Sequence, residues 1–484
     1  MNRWSRRLGV LLLCGAIFPG MKGHGRGLER HSPQSKPTAP NILLVIADDW
    51  SFPHAGIYGD RVVRTPHFDR LAREGALFEH AYVASPSCTP SRAALLTGRV
   101  VHQLAEGGSL WSSLPAKFDV YPELLEAQGY RIGQTRKGWG PGNVEAGGRK
   151  RNPAGPSFKS FGEFLRDQPA DQPFCFWFGS QDPHRDYVKG SGRAVGMRPE
   201  LVQVPDSLPD TLEVREDLLD YYFEVERLDR EVGELLTLLE EAGQLDQTLI
   251  IMTSDNGMPF PRAKANLYDA GTRVPLALRW PVRIRAGQVH QAFVSLTDLA
   301  PTLLEAAGQP PLREMTGRSL WPLLEGRGEE GRDAVFLERE RHANVRRGDL
   351  SYPMRAVRTA EFLYIRNLRP DRWPAGDPEK YHSVGPYGDI DGGPSKEQLL
   401  RGRNDSRLAR YFELAASKRP AEELYDLRRD PGQVRNVATQ ARYRIIRRRL
   451  RARLDRWMSE TADPRATVDD DRYDQYPYYG PPAR

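Results

Sequence analysis

The string Cys88-Thr-Pro-Ser-Arg92 brings together a nucleophilic side chain, a helix-start pattern and a guanidinium. Pro90 suits the first turn of a helix with Thr89 as N-cap; Ala93 to Leu96 propagate it and Gly98 ends it. Cys88 then stands just ahead of a helix N-terminus, where free N–H groups and the helix dipole favour an anion. Arg92, one turn in, adds a fixed positive charge. Such a place suits a tetrahedral oxyanion beside a reactive side chain. A cysteine there also serves equally well as a small buried hydrophobe, and both readings stand on these residues.

Further polar residues follow apolar runs. Asn41 to Ala47 is continuously apolar after its first residue and ends in Asp48-Asp49. Phe174 to Phe178 leads to Asp182-Pro183-His184, Leu249 to Thr253 leads to Asp255-Asn256-Gly257, and the shorter Tyr130 to Ile132 leads to Lys137. Unbroken apolar runs of this length suit strands covered on both faces of a parallel sheet. In open α/β sheets ligands sit beyond the carboxyl ends of the strands, so four such ends would place these groups on one rim. Each acidic pair also reads as an ordinary turn.

Helices fill the intervals. Thr65-Pro66 opens one that Gly75 closes. Leu218, Leu219, Tyr222, Val225, Leu228, Val232, Leu235 and Leu239 recur at helical spacing within a helix expected over 213–241, with Gly243 as its stop. Another is expected over 294–307. Beyond residue 338 the texture becomes Arg-rich and strand-like at 354–357, 362–367 and 423–427. Ile446, Leu450, Leu454 and Trp457 then make an apolar stripe on an arginine-rich helix over 442–457. Those arginines suit either a polyanion or a solvated helix face.

The chain has 484 residues, 39% hydrophobic and 28% charged, which excludes a collagen, a coiled coil, a multispanning membrane protein and a wholly disordered chain. Lys+Arg 70 against Asp+Glu 64 leaves a formal +6, too mild to imply a nucleic-acid partner, and P-loop, zinc-finger and nucleic-acid signatures are absent. Three cysteines exclude a disulfide scaffold. Arg3, Arg6 and Arg7 precede the apolar stretch Leu8 to Phe18, the pattern of a signal peptide over residues 1–25, followed by a linker over 26–40. Export to the periplasm or medium is therefore expected, with no transmembrane anchor.

Taken with its surroundings, Cys88-Thr-Pro-Ser-Arg-Ala-Ala-Leu-Leu-Thr-Gly-Arg99 resembles the sulfatase signature. The resemblance includes Asp48-Asp49, Thr65-Pro-His-Phe-Asp69, Ser254-Asp-Asn-Gly257 and Glu423-Leu-Tyr-Asp-Leu427, and runs from about residue 41 to 437 in order. Asp182-Pro-His-Arg185 and Phe260-Pro-Arg-Ala-Lys-Ala-Asn-Leu-Tyr268 look most like the N-sulfoglucosamine sulfohydrolase branch. The resemblance implies an α/β, alkaline-phosphatase-like fold: a mostly parallel central sheet flanked by helices over 41–337, a smaller C-terminal α+β subdomain with an antiparallel sheet over 338–465, and a tail over 466–484. It implies conversion of Cys88 to Cα-formylglycine by a formylglycine-generating system that reads Cys88, Pro90 and Arg92. One hydroxyl of the hydrated aldehyde would attack sulfur, and the other would expel sulfate afterwards. It further implies that Asp48, Asp49, Asp255, Asn256 and the modified Cys88 hold a divalent cation. Their hard oxygens favour Ca²⁺ over Mg²⁺ and over zinc. Lys137, His184 and Lys264 match positions that bind sulfate or move protons, with His184 as general acid.

One departure stands out. Many sulfatases carry Lys-x-His where this chain reads Arg136-Lys137-Gly138-Trp139, so the histidine is missing and Arg136 competes for the lysine's place. His102 and His54 are the nearest histidines in sequence to supply it, and Trp139 reads as a sugar-stacking platform or a packed aromatic. The function implied is hydrolysis of sulfate ester or N-sulfo groups on a sulfated carbohydrate. The alternatives are a phosphonate or phosphate ester hydrolase of the same superfamily and an inactive glycan-binding relative.

Overall fold

Seven strands pair in the order β3-β4-β1-β5-β6-β2-β7 in the computed structural model, which describes residues 39–327, 331–381, 385–468 and 470–481. The strands are β1 (Asn41–Ala47), β2 (Ala76–Tyr82), β3 (Arg131–Arg136), β4 (Phe174–Gly179), β5 (Thr248–Ser254), β6 (Ala277–Arg279) and β7 (Gln288–Ser295). The first four in that order are mutually parallel, and β6 is antiparallel to both its neighbours. Alternation across β1 defines three layers. Ile42, Leu44 and Ile46 pack with Ala93 to Leu96 of helix α2 (Cys88–Thr97), whereas Leu43, Val45 and Ala47 pack with Leu218, Val225 and Leu228 of α3 (Leu212–Glu241). All six β1 side chains are fully buried, which is why the run contains no polar residue after Asn41.

Helix boundaries follow local chemistry with two revisions. Helix α1 spans Pro66–Glu74, but the Thr65 side chain does not cap it; the Asp229 carboxylate of α3 does, accepting from His67 N at 3.0 Å and Phe68 N at 2.8 Å. Residues 294–307 are not one helix. Strand β7 runs to Ser295, whose N–H donates to Asp298 at 2.9 Å and turns the chain, so the helix α4 covers only Leu299–Ala306.

A second sheet has the order β11-β10-β9-β8, entirely antiparallel: β8 (Ala334–Arg339), β9 (Met354–Thr359), β10 (Phe362–Asn367) and β11 (Glu422–Asp426). It begins at Ala334, ahead of residue 338. Leu337, Met354, Ala356 and Ile365 on one face meet Tyr82, Phe293 and Leu267. The other face packs under α5 (Arg444–Glu460) through Leu450, Leu454, Trp457 and Met458, side chains whose burial contributes about 2–3 kcal/mol each. The α5 arginines include a self-satisfied set: Arg451 pairs with Glu422 and Arg453 with Asp333. Beyond it, Tyr473 is fully buried and donates to His102 O at 3.2 Å, so the tail is tied to the body. No described helix is long and apolar enough to cross a membrane. The expected signal peptide and nearly all of the linker lie outside the described residues.

Candidate functional site

The contiguous parallel strands β3, β4, β1 and β5 end together, and their exits carry Lys137, Asp182-Pro-His184, Asp48-Asp49 and Asp255-Asn256. The backbone is tight at this rim. A Cβ on Gly179, the last residue of β4, would fall 1.7 Å from Lys137 O, so only glycine lets the two strand ends approach. Asp49 adopts φ 77°, a left-handed conformation, directly beyond the end of β1.

Cys88 is the first residue of α2, with Ser87 at the N-cap; Thr89 is already helical and its hydroxyl donates to Pro141 O at 2.5 Å. The Cys88 Sγ donates to Asp48 Oδ1 at 3.5 Å. Ligand atoms of Asp48, Asp49, Cys88 and Asp255 lie within 4.8 Å of one another, all buried. Asn256 Nδ2 donates to Asp49 Oδ1 at 2.6 Å, while its Oδ1 is buried without a partner. Cations close the cluster: Lys137 Nζ donates to Asp48 Oδ2 at 2.5 Å and Lys264 Nζ to Asp49 Oδ2 at 2.7 Å. Arg92, fully buried, donates from Nε to Asp255 Oδ2 at 2.8 Å and from Nη1 to the carbonyls of Lys137 and Gly138. It thereby fastens α2 to the ends of β5 and β3. His184 Nε2 stands 3.8 Å from Asp49 Oδ2, and its Nδ1 donates to Arg185 O at 2.5 Å, leaving Nε2 as the exchangeable position. The loop bearing His184 is held by Arg185, which grips Asp217 through two bonds of 2.8 Å.

A model of the sulfatase family matches residues 40–309, and one of the C-terminal region of N-sulphoglucosamine sulphohydrolase matches 262–381. Human N-sulphoglucosamine sulphohydrolase is 34% identical over 472 residues, spanning 88% of this chain and 91% of the human protein. The chain belongs to the sulfatase family. An ulvan-active sulfatase of Formosa agariphila is 28% identical over 95% of this sulfatase and 82% of its own length. Among solved structures, a protein in complex with its substrate D-glucosamine-2-N,6-O-disulfate superposes with TM-score 0.64 at 20% identity, over 90% of this chain and 100% of that one. Phosphonate monoester hydrolase of Agrobacterium radiobacter gives 0.59 at 20% identity over 87% and 96%. At such identities the likeness is one of fold, and the fold serves both chemistries.

Electrostatics in this candidate site run against a thiolate. Burial pushes the Cys88 thiol well above its usual range, and Asp255 and Asp48 add to the shift while Lys137 and Lys264 oppose it. A thiol held protonated is a poor nucleophile, so unmodified Cys88 suits neither attack nor hard-cation binding. Burial also works to raise Asp48, but the charges of Lys137, His184, Arg92 and Lys264 outweigh it and hold that carboxyl below the usual range. For Asp49 burial prevails, helped by Asp48 and Asp255. Lys137 and Lys264 are buried, yet the acids facing them raise both. The cluster therefore interleaves acids and cations drawn from between Asp48 and Lys264 in sequence, with Asp48, Lys137 and Lys264 held in their charged forms and the Cys88 thiol held neutral.

The Lys-x-His departure resolves in space. Arg136 turns away to Glu231 at 2.5 Å, and Lys137 occupies the site. Trp139 is 4% exposed within the core, a packed aromatic and not a sugar platform. Neither expected histidine reaches the cluster: His54 contacts Tyr221 Oη at 3.3 Å, and His102 bonds Glu338 at 2.8 Å. The histidine that arrives is His342, after β8, with Nδ1 2.8 Å from Ser87 Oγ, and burial pushes its pKa down to about 4. Asp391 also reaches the site, 3.3 Å from Lys264 Nζ. No periodic pattern surrounds either residue; the one clue for His342 is its place directly after a strand.

Proposed function

We propose that this sulfatase removes sulfate ester or N-sulfo groups from a sulfated carbohydrate, with residue 88 acting as Cα-formylglycine and a divalent cation, Ca²⁺ before Mg²⁺, held by Asp48, Asp49, Asp255 and Asn256. The observation that carries the reading is the enclosed set of three carboxylates and the unpartnered Asn256 Oδ1 around residue 88. A buried acceptor with no donor costs stability unless a cation or donor meets it, and an all-oxygen set suits a hard cation. The cation supplies, when bound, positive charge for the sulfate oxygens, and the aldehyde supplies, once hydrated, an oxygen nucleophile. Lys137 Nζ and Lys264 Nζ donate hydrogen bonds to sulfate oxygens, and Arg92 holds Asp255 and the start of α2 in register. His184, with Nε2 directed to Asp49 and Nδ1 tied down, delivers a proton from Nε2 to the departing nitrogen or oxygen.

The carbohydrate is supported by the human and Formosa relatives, whose names specify sulfated saccharides. Because Cys88, Pro90 and Arg92 are all buried, the formylglycine-generating system would read them before α2 docks. Export from the pattern in residues 1–25 and a division into a catalytic part over 41–337 and a C-terminal part over 338–465 belong to the same reading. Parallel assays with a sulfate ester, an N-sulfo sugar and a phosphate diester test it. Sulfated substrates are expected to turn over faster, and equal or greater phosphodiester turnover overturns it. Mass spectrometry of the peptide containing residue 88 is expected to show an aldehyde in place of the thiol; active enzyme with wholly unmodified cysteine refutes the nucleophile.

A further inference from the structure

Asp391 lies in the long connection between β10 and the helix Pro394–Arg401, outside every motif discussed above. Its Oδ2 is enclosed, 3.3 Å from the Lys264 Nζ that also bonds Asp49 at 2.7 Å. The side chain is 25% exposed; Oδ1, unlike Oδ2, is not enclosed, and it has no hydrogen bond to the described residues. Lys264, His184 and His342 all act on this carboxylate and, against burial, hold it ionised with a pKa down to about 2. An acceptor-only group thus stands against the same Lys264 that bonds Asp49 of the acid cluster, within electrostatic range of His184.

Two leaving atoms differ in what they offer that acceptor. Sulfamate hydrolysis breaks S–N and forms S–O: R–NH–SO₃⁻ + H₂O gives R–NH₃⁺ + SO₄²⁻. The nitrogen donates an N–H in the substrate and, after taking both protons of the water, leaves as a cation. Ester hydrolysis gives R–OH, SO₄²⁻ and H⁺; the bridging oxygen carries no hydrogen, its lone pairs face the carboxylate, and the alcohol leaves neutral. A fixed carboxylate favours the first and disfavours the second.

We propose that Asp391 selects a nitrogen over an oxygen leaving group, accepting a hydrogen bond from the sulfamate N–H through Oδ1 and stabilising the departing ammonium. This deepens the function proposed above and rests on it. The test measures kcat/KM on glucosamine N-sulfate and glucosamine 6-O-sulfate with wild type, Asp391→Asn and Asp391→Glu. Both substrates are assayed on one preparation, so loss of folded enzyme cancels from their ratio. Wild type favours the N-sulfo sugar. Asp391→Asn is expected to lower the N-sulfo rate about 100-fold and to leave the 6-O-sulfo rate within about threefold of wild type or raise it. Asp391→Glu, which keeps the carboxylate, is expected to recover part of the ratio. Equal losses on both substrates would make Asp391 a mere counter-ion to Lys264 and overturn the proposal, as would a wild type that prefers the ester, although sulfatase activity would then stand. Activity on a phosphonate monoester with none on either sugar removes the broader reading and this one together.

Discussion

Asp48, Asp49, Cys88 and Asp255 share one buried cluster, and His102, Glu338 and Asp463 share another; in each the candidate ligand atoms lie within 4.8 Å of one another. Only their counter-groups differ. In the second, Arg355 donates to Asp463 at 2.6 Å and Glu340 at 2.8 Å, Arg465 adds a second donor set to Glu340, and Glu338 accepts from Val101 N at 2.6 Å and His102 Nδ1 at 2.8 Å. Its acids are saturated by guanidinium and backbone. In the first, Asn256 Oδ1 is left without a hydrogen-bond partner, Arg92 Nη2 meets Asp48 Oδ1 only at 3.9 Å, and the lysines stand where an anionic substrate would compete for them. Closely spaced acids do not define a cation site; both clusters hold counter-cations, and what separates them is the buried acceptor, Asn256 Oδ1, that no donor meets in the first.

The sharpest way to break this contrast is at residue 88. Cys88→Ala is expected to lower kcat by about 10³-fold or more while the melting temperature stays within a few degrees, since one small side chain is lost. Retained turnover would detach the first cluster from the chemistry. The second cluster is expected to answer in stability instead. Arg355→Met leaves Asp463 buried without its guanidinium partner, although Glu340 keeps Arg465, and is expected to cost about 3–5 kcal/mol in denaturant unfolding, with kcat per folded molecule unchanged. A smaller effect separates the two directly. Ca²⁺ at 100 times its Kd is expected to add about 2.7 kcal/mol of stability, abolished by Asp255→Asn and untouched by Glu338→Gln; the reverse pattern would exchange the roles of the clusters.

The smallest expected effect is a pH slope. Glu338 and Asp463 raise His102 above its ordinary 6.5 despite opposing burial. The folded state therefore holds this proton more tightly than the unfolded chain. The resulting stability is fully present below pH 6.5 and is lost as pH rises through the higher folded value. Urea midpoints of wild type are expected to fall over that interval, and His102→Asn to flatten the fall; an unchanged slope would place the titration elsewhere.

Legibility differed by region for the same physical reason. β1, β4 and β5 are covered on both faces, so burial forces continuous apolar runs and their boundaries show in the sequence. β6 has three residues and β7 alternates exposed with half-buried positions, so neither stands out. The helix at Cys88 was readable from Pro90 and Gly98, but its start lies two residues earlier, at Cys88 with Ser87 as N-cap, and Thr89 bonds Pro141 O instead of capping. The tail's aromatic residues show no period, yet Tyr473 is buried by a pocket built elsewhere.

The amino-acid sequence by itself determined the strand ends, through local periodicity, and the Cys-x-Pro-x-Arg string, and it pointed to Asp48, Asp49, Asp255, Asn256, Lys137, His184 and Lys264 through contiguous motifs that resemble those of the sulfatase family. Only the tertiary structure decided which lysine enters, that Trp139 is core, and that His342 and Asp391 join the site from the second sheet and its long connection. Those outcomes depend on which strand ends meet, and a loop residue's position in space is fixed by distant packing that leaves no periodic trace in the residues around it.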